Sequence, residues 1–270
     1  MSWRPPGGVL GELVASARAE SEARRRRRPE LAQREGLSRP PGRFRRALAD
    51  DSSPGFPLIC EVKRASPSAG DIRAVDAAAQ ARAYVAGGAR CVSVLTEGRR
   101  FGGRLEDLRA VRAAVDVSLL RKDFVVEPYM LAEAVDAGAD AVLLLAAAVE
   151  PPVLLHLWST AIELGLDVLL EVVQPFELDA PDTLGARLVG VNARDLETLE
   201  VDAGRFERLA PSLAGPGRIL VAESGVRTAG DVRRLARAGA GAALVGESVM
   251  RAADPAAAVR ALAEATCEPG

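Results

Sequence analysis

Eight apolar segments rich in leucine and β-branched residues recur from residue 58 onwards, and helical patterns of alanine and arginine separate them. The predicted strands cover residues 58–62, 91–95, 117–120, 141–145, 168–172, 188–191, 219–222 and 242–245. Their spacing of roughly twenty to thirty residues leaves room for one crossover helix after each strand, as parallel pairing requires. Eight such units that close on themselves predict an α/β fold, a (β/α)8 TIM barrel.

Helical patterns fall between these strands and at both ends of the chain. They cover residues 9–27, 44–49, 74–86, 105–114, 129–137, 152–164, 229–238 and 255–265. Asp254 and Pro255 suit the N-cap and first turn of the last helix, and glycines after several helices suit C-caps that lead into the next strand. We expect one domain over 1–270, with an N-terminal helical extension (1–56) packed on a barrel (57–270). A doubly wound open sheet is the main alternative, but Ser66-Pro67-Ser68 is not a dinucleotide fingerprint.

Composition argues against several other functional classes. The formal net charge of −2 gives no general attraction to nucleic acid or to anionic membranes. The arginine run at 24–28 lacks interleaved aromatic residues, so we interpret it as a solvated helix end. Cys60, Cys91 and Cys267 have neither close spacing nor histidine partners, so we expect no metal site and no disulfide framework. The single histidine, His156, lies in an apolar helical pattern and suggests a structural rather than a catalytic residue.

The apolar stretches of the sequence indicate where the protein works and how it assembles. No stretch approaches the ~20 apolar residues of a membrane span, and the start of the chain lacks the apolar region of a signal peptide. We therefore expect a cytoplasmic protein without membrane contacts. No exposed apolar helix stands out in the sequence, so we expect a monomer.

Polar side chains stand at the carboxyl ends of seven of the eight predicted strands. Glu61 and Lys63 lie two residues apart at the end of the first strand, so they share the inner face of a barrel. The others are Thr96-Glu97, Arg121-Lys122-Asp123, Glu171, Asn192 with Arg194, Glu223-Ser224-Gly225 and Gly246-Glu247. In a barrel all of these groups meet at one mouth. Any one of them could be a structural ion pair, but burying many charges costs several kcal/mol unless they pair well, so the recurrence indicates a functional site.

Two of these strand ends also indicate the kind of ligand. Ser224-Gly225 and Gly246-Glu247 follow the seventh and eighth strands, where backbone N–H groups commonly bind phosphate in this fold. Lysine and arginine side chains at the other strand ends favour an anionic substrate, and the glutamates are candidates for acid–base chemistry. We therefore predict a phosphorylated small-molecule substrate and no cofactor.

Six motifs in order resemble the indole-3-glycerol-phosphate synthase family of tryptophan biosynthesis. They are EVKRASPS (61–68), LRKDF (120–124), LEV (170–172), VNARDL (191–196), AESG (222–225) and LVGE (244–247). The resemblance runs from about residue 9 to the C-terminus and includes the N-terminal extension. Related barrels such as phosphoribosylanthranilate isomerase share the motifs of the last two strands but lack the first-strand signature.

The resemblance implies a cofactor-free lyase that converts 1-(2-carboxyphenylamino)-1-deoxyribulose 5-phosphate to indole-3-glycerol phosphate, with loss of CO2 and water. It implies that Lys122 is the general acid of ring closure, and that Glu171 stabilises positive charge or handles the second proton transfer. Lys63 would face an anionic group of the substrate and is a candidate for the later proton steps. Glu61 would orient the lysines, and Asn192 would bind the sugar hydroxyls or the carbonyl region.

The resemblance also implies a substrate-binding set around these catalytic candidates. Its polar members are Ser66, Arg194, Glu223, Ser224, Gly225, Gly246 and Glu247, and Leu244 belongs to the same strand end. The anthranilate ring needs apolar walls, for which Phe101, Phe124, Leu143 and Leu196 are candidates, with core packing as the alternative for each. Ala69, Ser118 and Ala193 depart from the usual wording of the family. None removes a proposed catalytic group, so we expect a competent catalyst. Ala69 stands where a lysine often follows Ser-Pro-Ser, so the loop after the first strand is less basic, and we expect this to alter loop closure and turnover.

Two other functions compete with this interpretation. One is a different enzyme on the same barrel, such as a sugar-phosphate isomerase or a Schiff-base aldolase that uses Lys122 or Lys63. The other is a non-catalytic protein that senses a phosphorylated ligand or recruits a partner through the arginine run. Fold alone does not separate them.

Overall fold

Eight parallel strands close into a barrel in the computed structural model, which describes residues 5–266. The strands are β1 Leu58–Val62, β2 Cys91–Leu95, β3 Ser118–Lys122, β4 Ala141–Leu145, β5 Asp167–Val172, β6 Leu188–Asn192, β7 Ile219–Glu223 and β8 Ala242–Val245. Strand β1 pairs with both β2 and β8, so the sheet has no free edge. The prediction of a (β/α)8 barrel is therefore confirmed. Cys267 and residues 1–4, part of the segment on which the signal-peptide expectation rests, lie outside the described range.

Helices cover the outside of the barrel and precede it at the N-terminus. They are α1 Gly8–Arg27, α2 Arg43–Leu48, α3 Ala77–Ala86, α4 Leu105–Ala114, α5 Pro128–Asp136, α6 Pro151–Glu163, α7 Ala180–Thr183, α8 Arg205–Leu213, α9 Ala229–Arg237, α10 Glu247–Arg251 and α11 Pro255–Ala263. The Asp254 side chain accepts a hydrogen bond from the Ala257 N–H, as the predicted N-cap requires. Three helices were not predicted: α7 and α10, which span only four and five residues, and α8, whose pattern is interrupted by Pro211.

Three strands continue past their predicted ends. Lys122 pairs with Leu95 in the β2–β3 ladder, and Asn192 pairs with Glu223 in the β6–β7 ladder. The predicted strands ended before these polar residues, but backbone pairing with the neighbouring strands keeps the polar residues in the sheet. As a result, three of the polar side chains at the mouth project from rigid strand backbone rather than from loops.

The N-terminal extension shares one hydrophobic core with the barrel. Leu10 and Leu13 of α1 and Phe44 of α2 are buried in the same apolar cluster as the strands. The Arg24 Nε lies 2.7 Å from Glu133 Oε1 of α5, so part of the arginine run packs on the barrel, while residues 25–27 are exposed. The single domain over 1–270 stays a prediction, and this shared core supports it.

Cys60 and Cys91 are both fully buried in this core, whereas His156 is exposed on α6. No helix among the described residues has the length and apolar character that a membrane crossing needs. Within residues 5–266, no cluster of three or more histidine, cysteine or acidic side chains is arranged to hold a metal ion.

Asp140 joins the extension to the barrel at the end opposite the mouth. Its side chain is fully buried, and Oδ1 accepts hydrogen bonds from Arg39 Nη2 at 2.5 Å and Arg43 Nη1 at 3.4 Å. Oδ2 accepts from Arg112 Nη1 at 3.1 Å and from the Leu119 N–H at 3.0 Å. One carboxylate therefore neutralises guanidinium groups from the extension and from α4.

We expect Asp140→Ala to lower the free energy of unfolding by about 3 kcal/mol, because removing one partner leaves several partly buried donors unpaired. Urea unfolding followed by far-UV circular dichroism measures the change. Asp116→Ala is the matched control, since Asp116 also contacts Arg43 but is fully exposed, and exposed pairs contribute little. Equal stability of the two variants would contradict the role assigned to Asp140.

Candidate active site

The carboxyl ends of the strands surround a cavity of about 260 Å³, referred to below as the mouth cavity. Residues from α1, from the strand ends and from the loops after the strands line it. Every residue of the expected catalytic and substrate-binding sets lines this cavity except Glu171, which lies behind Lys122. Ala69, Ser118 and Ala193, the three departures from the family wording, do not line it.

Lys122 is the most enclosed cation of the mouth. Its Nζ lies 3.2 Å from Glu171 Oε2 and 3.5 Å from Glu223 Oε2. Burial alone would lower the pKa of Lys122, but the carboxylates of Glu171, Glu223 and Glu61 together raise the pKa above its ordinary value. The side chain is therefore an ammonium at neutral pH, and it carries a proton into the cavity.

Glu171 is held from two sides and is only 1% exposed. Besides the contact with Lys122, its Oε1 accepts a hydrogen bond of 2.9 Å from Asn192 Nδ2. The Asn192 Oδ1 in turn accepts from the Arg194 N–H at 2.9 Å. Because the two ends of the amide have different partners, its orientation is fixed, and the Glu171 carboxylate is fixed with it.

Glu223 is buried next to Glu171 at the end of β7, and both of its oxygens lack a hydrogen-bond partner among the described residues. Burial and the neighbouring Glu171 carboxylate raise the pKa of Glu223 well above its ordinary value, although Lys122 opposes this shift. The Lys122 Nζ lies 3.5 Å from Glu223 Oε2, and neither Glu223 oxygen is occupied by a hydrogen bond from the described residues. The Glu223 carboxyl is therefore suited to bind a polar group of a ligand.

Glu61 and Lys63 form a second ion pair, with 2.8 Å between Lys63 Nζ and Glu61 Oε1. Glu61 thus contacts Lys63 directly and acts on Lys122 only through its charge. Gly246, at the end of β8, makes room for this pair. A Cβ at residue 246 would lie 2.7 Å from Glu61 Oε1 and 3.1 Å from Lys63 Nζ, so the glycine is required by space rather than by flexibility.

The edge of the cavity over β7 and β8 is suited to an anion. Ser224 and Gly225 both have positive φ, at 64° and 79°, which is uncommon for a serine. After the neighbouring strand β8, Gly246 is the N-cap of α10, which begins at Glu247. Arg194, two residues past the end of β6, lines the same cavity. Burial lowers the pKa of Arg194, but an arginine stays charged at any physiological pH. Backbone N–H groups and a guanidinium there match the requirements of phosphate.

Aromatic and aliphatic side chains form the opposite wall. The ring centroids of Phe101 and Phe124, which follow β2 and β3, are 6.3 Å apart. Leu143, Leu196 and Leu244 line the same cavity from β4, from the loop after β6 and from β8. Phe101 is held by Glu97, whose carboxylate accepts from the Phe101 N–H at 3.0 Å and from two preceding N–H groups. In the loop after β1, the buried Ser66 Oγ accepts from the Ala69 N–H at 3.1 Å.

The polar end of β2 supports this wall instead of lining the cavity. Thr96 Oγ1 donates to Asp123 Oδ2 at 2.6 Å, and the fully buried Arg121 contacts both residues. Thr96 and Glu97 therefore fix the loops around Lys122 and Phe101 and do not face a ligand.

Several cavity residues were not found by sequence reasoning. Arg227 and Arg251 line the anionic edge, and Val9 and Leu13 of α1 reach the cavity from the extension. The two arginines lie three and four residues after proposed phosphate-binding positions, a signal that could have identified them. Val9 and Leu13 could not be separated from core residues, because both uses require the same helical spacing.

The two lysines of the chain, Lys63 and Lys122, both project into this cavity, and the other basic residues among its 35 are arginines. A lysine can release its proton, whereas an arginine side chain cannot in proteins. Residues 63 and 122 of the cavity are thus basic side chains that are able to donate a proton.

The fold and the site together define a (β/α)8-barrel enzyme. In fold it is similar to the crystal structure of 3-hexulose-6-phosphate synthase, with a TM-score of 0.64 and 20% identity over 78% of this chain and 99% of that one. A family model for indole-3-glycerol phosphate synthase matches residues 10–262. The chain belongs to the indole-3-glycerol phosphate synthase family, which confirms the resemblance drawn from its motifs.

Curated members of this family match almost the whole chain. The chain is 47% identical over 268 residues to the indole-3-glycerol phosphate synthase of Mycobacterium avium (strain 104), covering 98% of this chain and 97% of the relative. It is 48% identical over 263 residues to that of Nocardioides sp. (strain ATCC BAA-499 / JS614), covering 93% and 96%.

Proposed function

We propose that this protein converts 1-(2-carboxyphenylamino)-1-deoxyribulose 5-phosphate to indole-3-glycerol phosphate, as a step of tryptophan biosynthesis. The observation that carries the proposal is the Lys122 ammonium, held between Glu171 and Glu223 inside a cavity with one edge suited to phosphate and an apolar opposite wall. The substrate has the same order of parts, with a phosphate at one end, a carbonyl in the middle and an aromatic ring at the other end.

Ring closure is the first chemical step. As the aromatic carbon attacks the ribulose carbonyl, Lys122 donates its proton to the carbonyl oxygen, and Glu171 stabilises the positive charge that develops on the ring nitrogen system. The ring then loses CO2 and keeps the bonding electrons, which restores its aromatic character. Loss of water completes the indole. It needs one proton for the departing hydroxyl and one base for the adjacent C–H: the Lys63 ammonium donates the first, and the amine that this leaves accepts the second.

The remaining groups bind and orient the substrate. Phosphate binds the N–H groups at Ser224, Gly225 and Gly246, close to Arg194. Lys63, positioned by Glu61, faces the anthranilate carboxylate, and Asn192 contacts the sugar hydroxyls. The aromatic ring packs against Phe101 and Phe124, so ring and carbonyl are held within reacting distance before the proton moves.

The test is the appearance of indole fluorescence when the purified protein meets the carboxyphenylamino-deoxyribulose phosphate, with and without a chelator. We expect turnover in both cases, because every assigned step uses only side chains. Borohydride treatment in the presence of substrate should give no covalent adduct, whereas an aldolase would be trapped as a reduced imine. Binding without turnover would instead support a ligand sensor.

The expected working state, a cytoplasmic monomer, belongs to the same proposal. The site is assembled from side chains of one chain, so a partner subunit is not needed to complete it. A phosphorylated substrate carries charge that does not cross a bilayer readily, so the enzyme has to work where the substrate is made. Sedimentation at micromolar concentration measures the assembly state.

A further inference from the structure

A second cavity, of about 200 Å³, adjoins the mouth cavity. Leu145 and Leu196 line both cavities. Glu171 links the two, because its oxygens contact Lys122 and Asn192 of the mouth cavity while its side chain lines the second one. The proposed acid–base pair is thus reached from a space that the substrate does not need to occupy.

Glu177 is, with Glu171, a buried carboxyl group that lines the second cavity, and it has no role in the proposed chemical steps. It is 5% exposed and is the last residue of a one-turn 3-10 helix, Pro175–Glu177, that follows β5. Its Oε2 accepts a hydrogen bond of 2.7 Å from the Val173 N–H. Its Oε1 is buried without any hydrogen-bond partner among the described residues. An unpartnered oxygen is costly on a carboxylate and much less so on a protonated carboxyl.

The charged groups around Glu177 leave it balanced between its two protonation states. Burial, together with the Glu171 carboxylate, raises its pKa to about 7, although amide hydrogen bonds from Val173 and Gln174 and the charge of Arg205 oppose the rise. Asp195 and Glu197 of the loop after β6 also line this cavity. Near neutral pH, Glu177 is therefore able both to give up and to regain a proton.

The proposed reaction consumes a proton in every cycle. The substrate carboxylate leaves as CO2 and its bond electrons stay on the ring carbon, while the former carbonyl oxygen leaves as water. Lys122 delivers one proton to the carbonyl, and Lys63 delivers one to the departing hydroxyl and takes one back from carbon. Lys63 therefore ends the cycle as it began it, whereas the Lys122–Glu171 pair ends it one proton short and has to be recharged before the next turnover.

We propose that Glu177 recharges the pair: its proton passes through water in the second cavity to Glu171 and on to Lys122, and Glu177 regains a proton from solvent. A space of this size holds a few water molecules, each of which takes about 30 Å³. Glu177 acts through Glu171 and does not touch the substrate. This inference rests on the proposed function, since without decarboxylation no proton is consumed.

The experiment compares the first turnover with later ones in Glu177→Gln, which keeps the size of the side chain and an oxygen for the Val173 N–H. Rapid mixing of enzyme with excess substrate, followed by indole fluorescence, resolves both phases. We expect a first turnover at the wild-type rate and later turnovers slowed by about tenfold at neutral pH, less than the loss of a direct acid, because solvent keeps a slower route. Imidazole, a small acid of similar pKa, should restore the later turnovers.

The pH profile gives the second readout. Wild-type steady-state turnover should fall as pH rises through about 7, where Glu177 loses its proton, and this limb should be absent from Glu177→Gln. Asp179→Asn is the matched control: Asp179 is an exposed carboxylate two residues further along that does not line the cavity. Ala147→Leu fills the second cavity and leaves Glu177 in place, so it should slow the later turnovers too. This variant replaces Glu177→Gln as the test if Glu177→Gln does not fold.

Two results would overturn the inference. One is a Glu177→Gln enzyme whose later turnovers and pH profile match the wild type. The other is a first turnover slowed as much as the later ones, which would indicate a purely structural role in the loop after β5. A wild-type protein that forms no indole product would refute the proposed function instead, and the two failures are thereby distinguished.

Discussion

Replacing Lys122 by methionine lowers kcat/KM for the carboxyphenylamino-deoxyribulose phosphate by at least about 10²-fold, the effect of losing a general acid. Methionine retains most of the side-chain volume, so the cavity keeps its shape, but it has no proton to donate. It also leaves Glu171 and Glu223 without the ammonium that lies 3.2 and 3.5 Å from them. Indole fluorescence under steady-state conditions measures the loss, and thermal unfolding checks that the variant folds.

Lys122→Arg separates proton donation from charge. Arginine keeps the positive charge between the two carboxylates and can contact both of them, but it does not release a proton. We expect this variant to fold and to bind substrate, and its turnover to be as low as that of Lys122→Met. An arginine variant within about tenfold of the wild type would show that Lys122 acts by charge alone, and it would transfer the role of general acid to another group.

The barrel and most of the mouth could be predicted from sequence because strand periodicity and strand-end polarity are local signals. Lys122, Asn192 and Glu223 were found as polar residues that end apolar runs, and the ladder then held each of them in the strand itself. Gly246 was selected as a phosphate ligand, and the structure gives it a further reason, the room it leaves for Glu61 and Lys63.

The residues that escaped prediction are those whose role depends on contacts across the barrel. In the sequence Glu177 looks like one more acidic residue of a loop. It is buried because the 3-10 turn places its side chain in the same cavity as Glu171. Arg121 was identified as part of a strand end, but its side chain is fully buried in an ion network with Asp123 and Glu133 that reaches Arg24 of the extension. Sequence spacing does not show such partners, because they depend on how the loop after β5 folds and on which helices pack together.

Gly190 on β6 is a further residue of this kind, and it carries the second large expected effect. It reads as an ordinary small residue in a strand, yet it stands opposite Glu171 in the β5–β6 ladder. A Cβ at residue 190 would lie 2.0 Å from Glu223 Oε1 and 3.1 Å from Glu223 Cδ. Because Glu223 is buried, its carboxyl has little room to give way.

We therefore expect Gly190→Ala to lower kcat by about 10–10²-fold, since a displacement of 1 Å in a catalytic constellation already costs about this much. Overpacking should also lower the free energy of unfolding by about 1–3 kcal/mol. Steady-state kinetics and urea unfolding measure the two effects. Gly230→Ala is the control, because a Cβ at that exposed helical position meets only an ordinary contact of 3.5 Å. Its activity should stay within error of the wild type, and its free energy of unfolding should not fall, since alanine suits a helix better than glycine.

Combining Gly190→Ala with Glu223→Asp identifies the cause of the loss. The shorter aspartate withdraws its carboxyl from the position that the alanine Cβ would take, so the two substitutions together should destabilise the protein by less than the sum of their separate effects. Activity should not recover to the same extent, because the carboxyl then stands away from Lys122. If the losses of stability from the two substitutions simply add, the alanine acts on the barrel backbone rather than on Glu223. The contact between residue 190 of β6 and Glu223 would then not be the cause of the lower kcat.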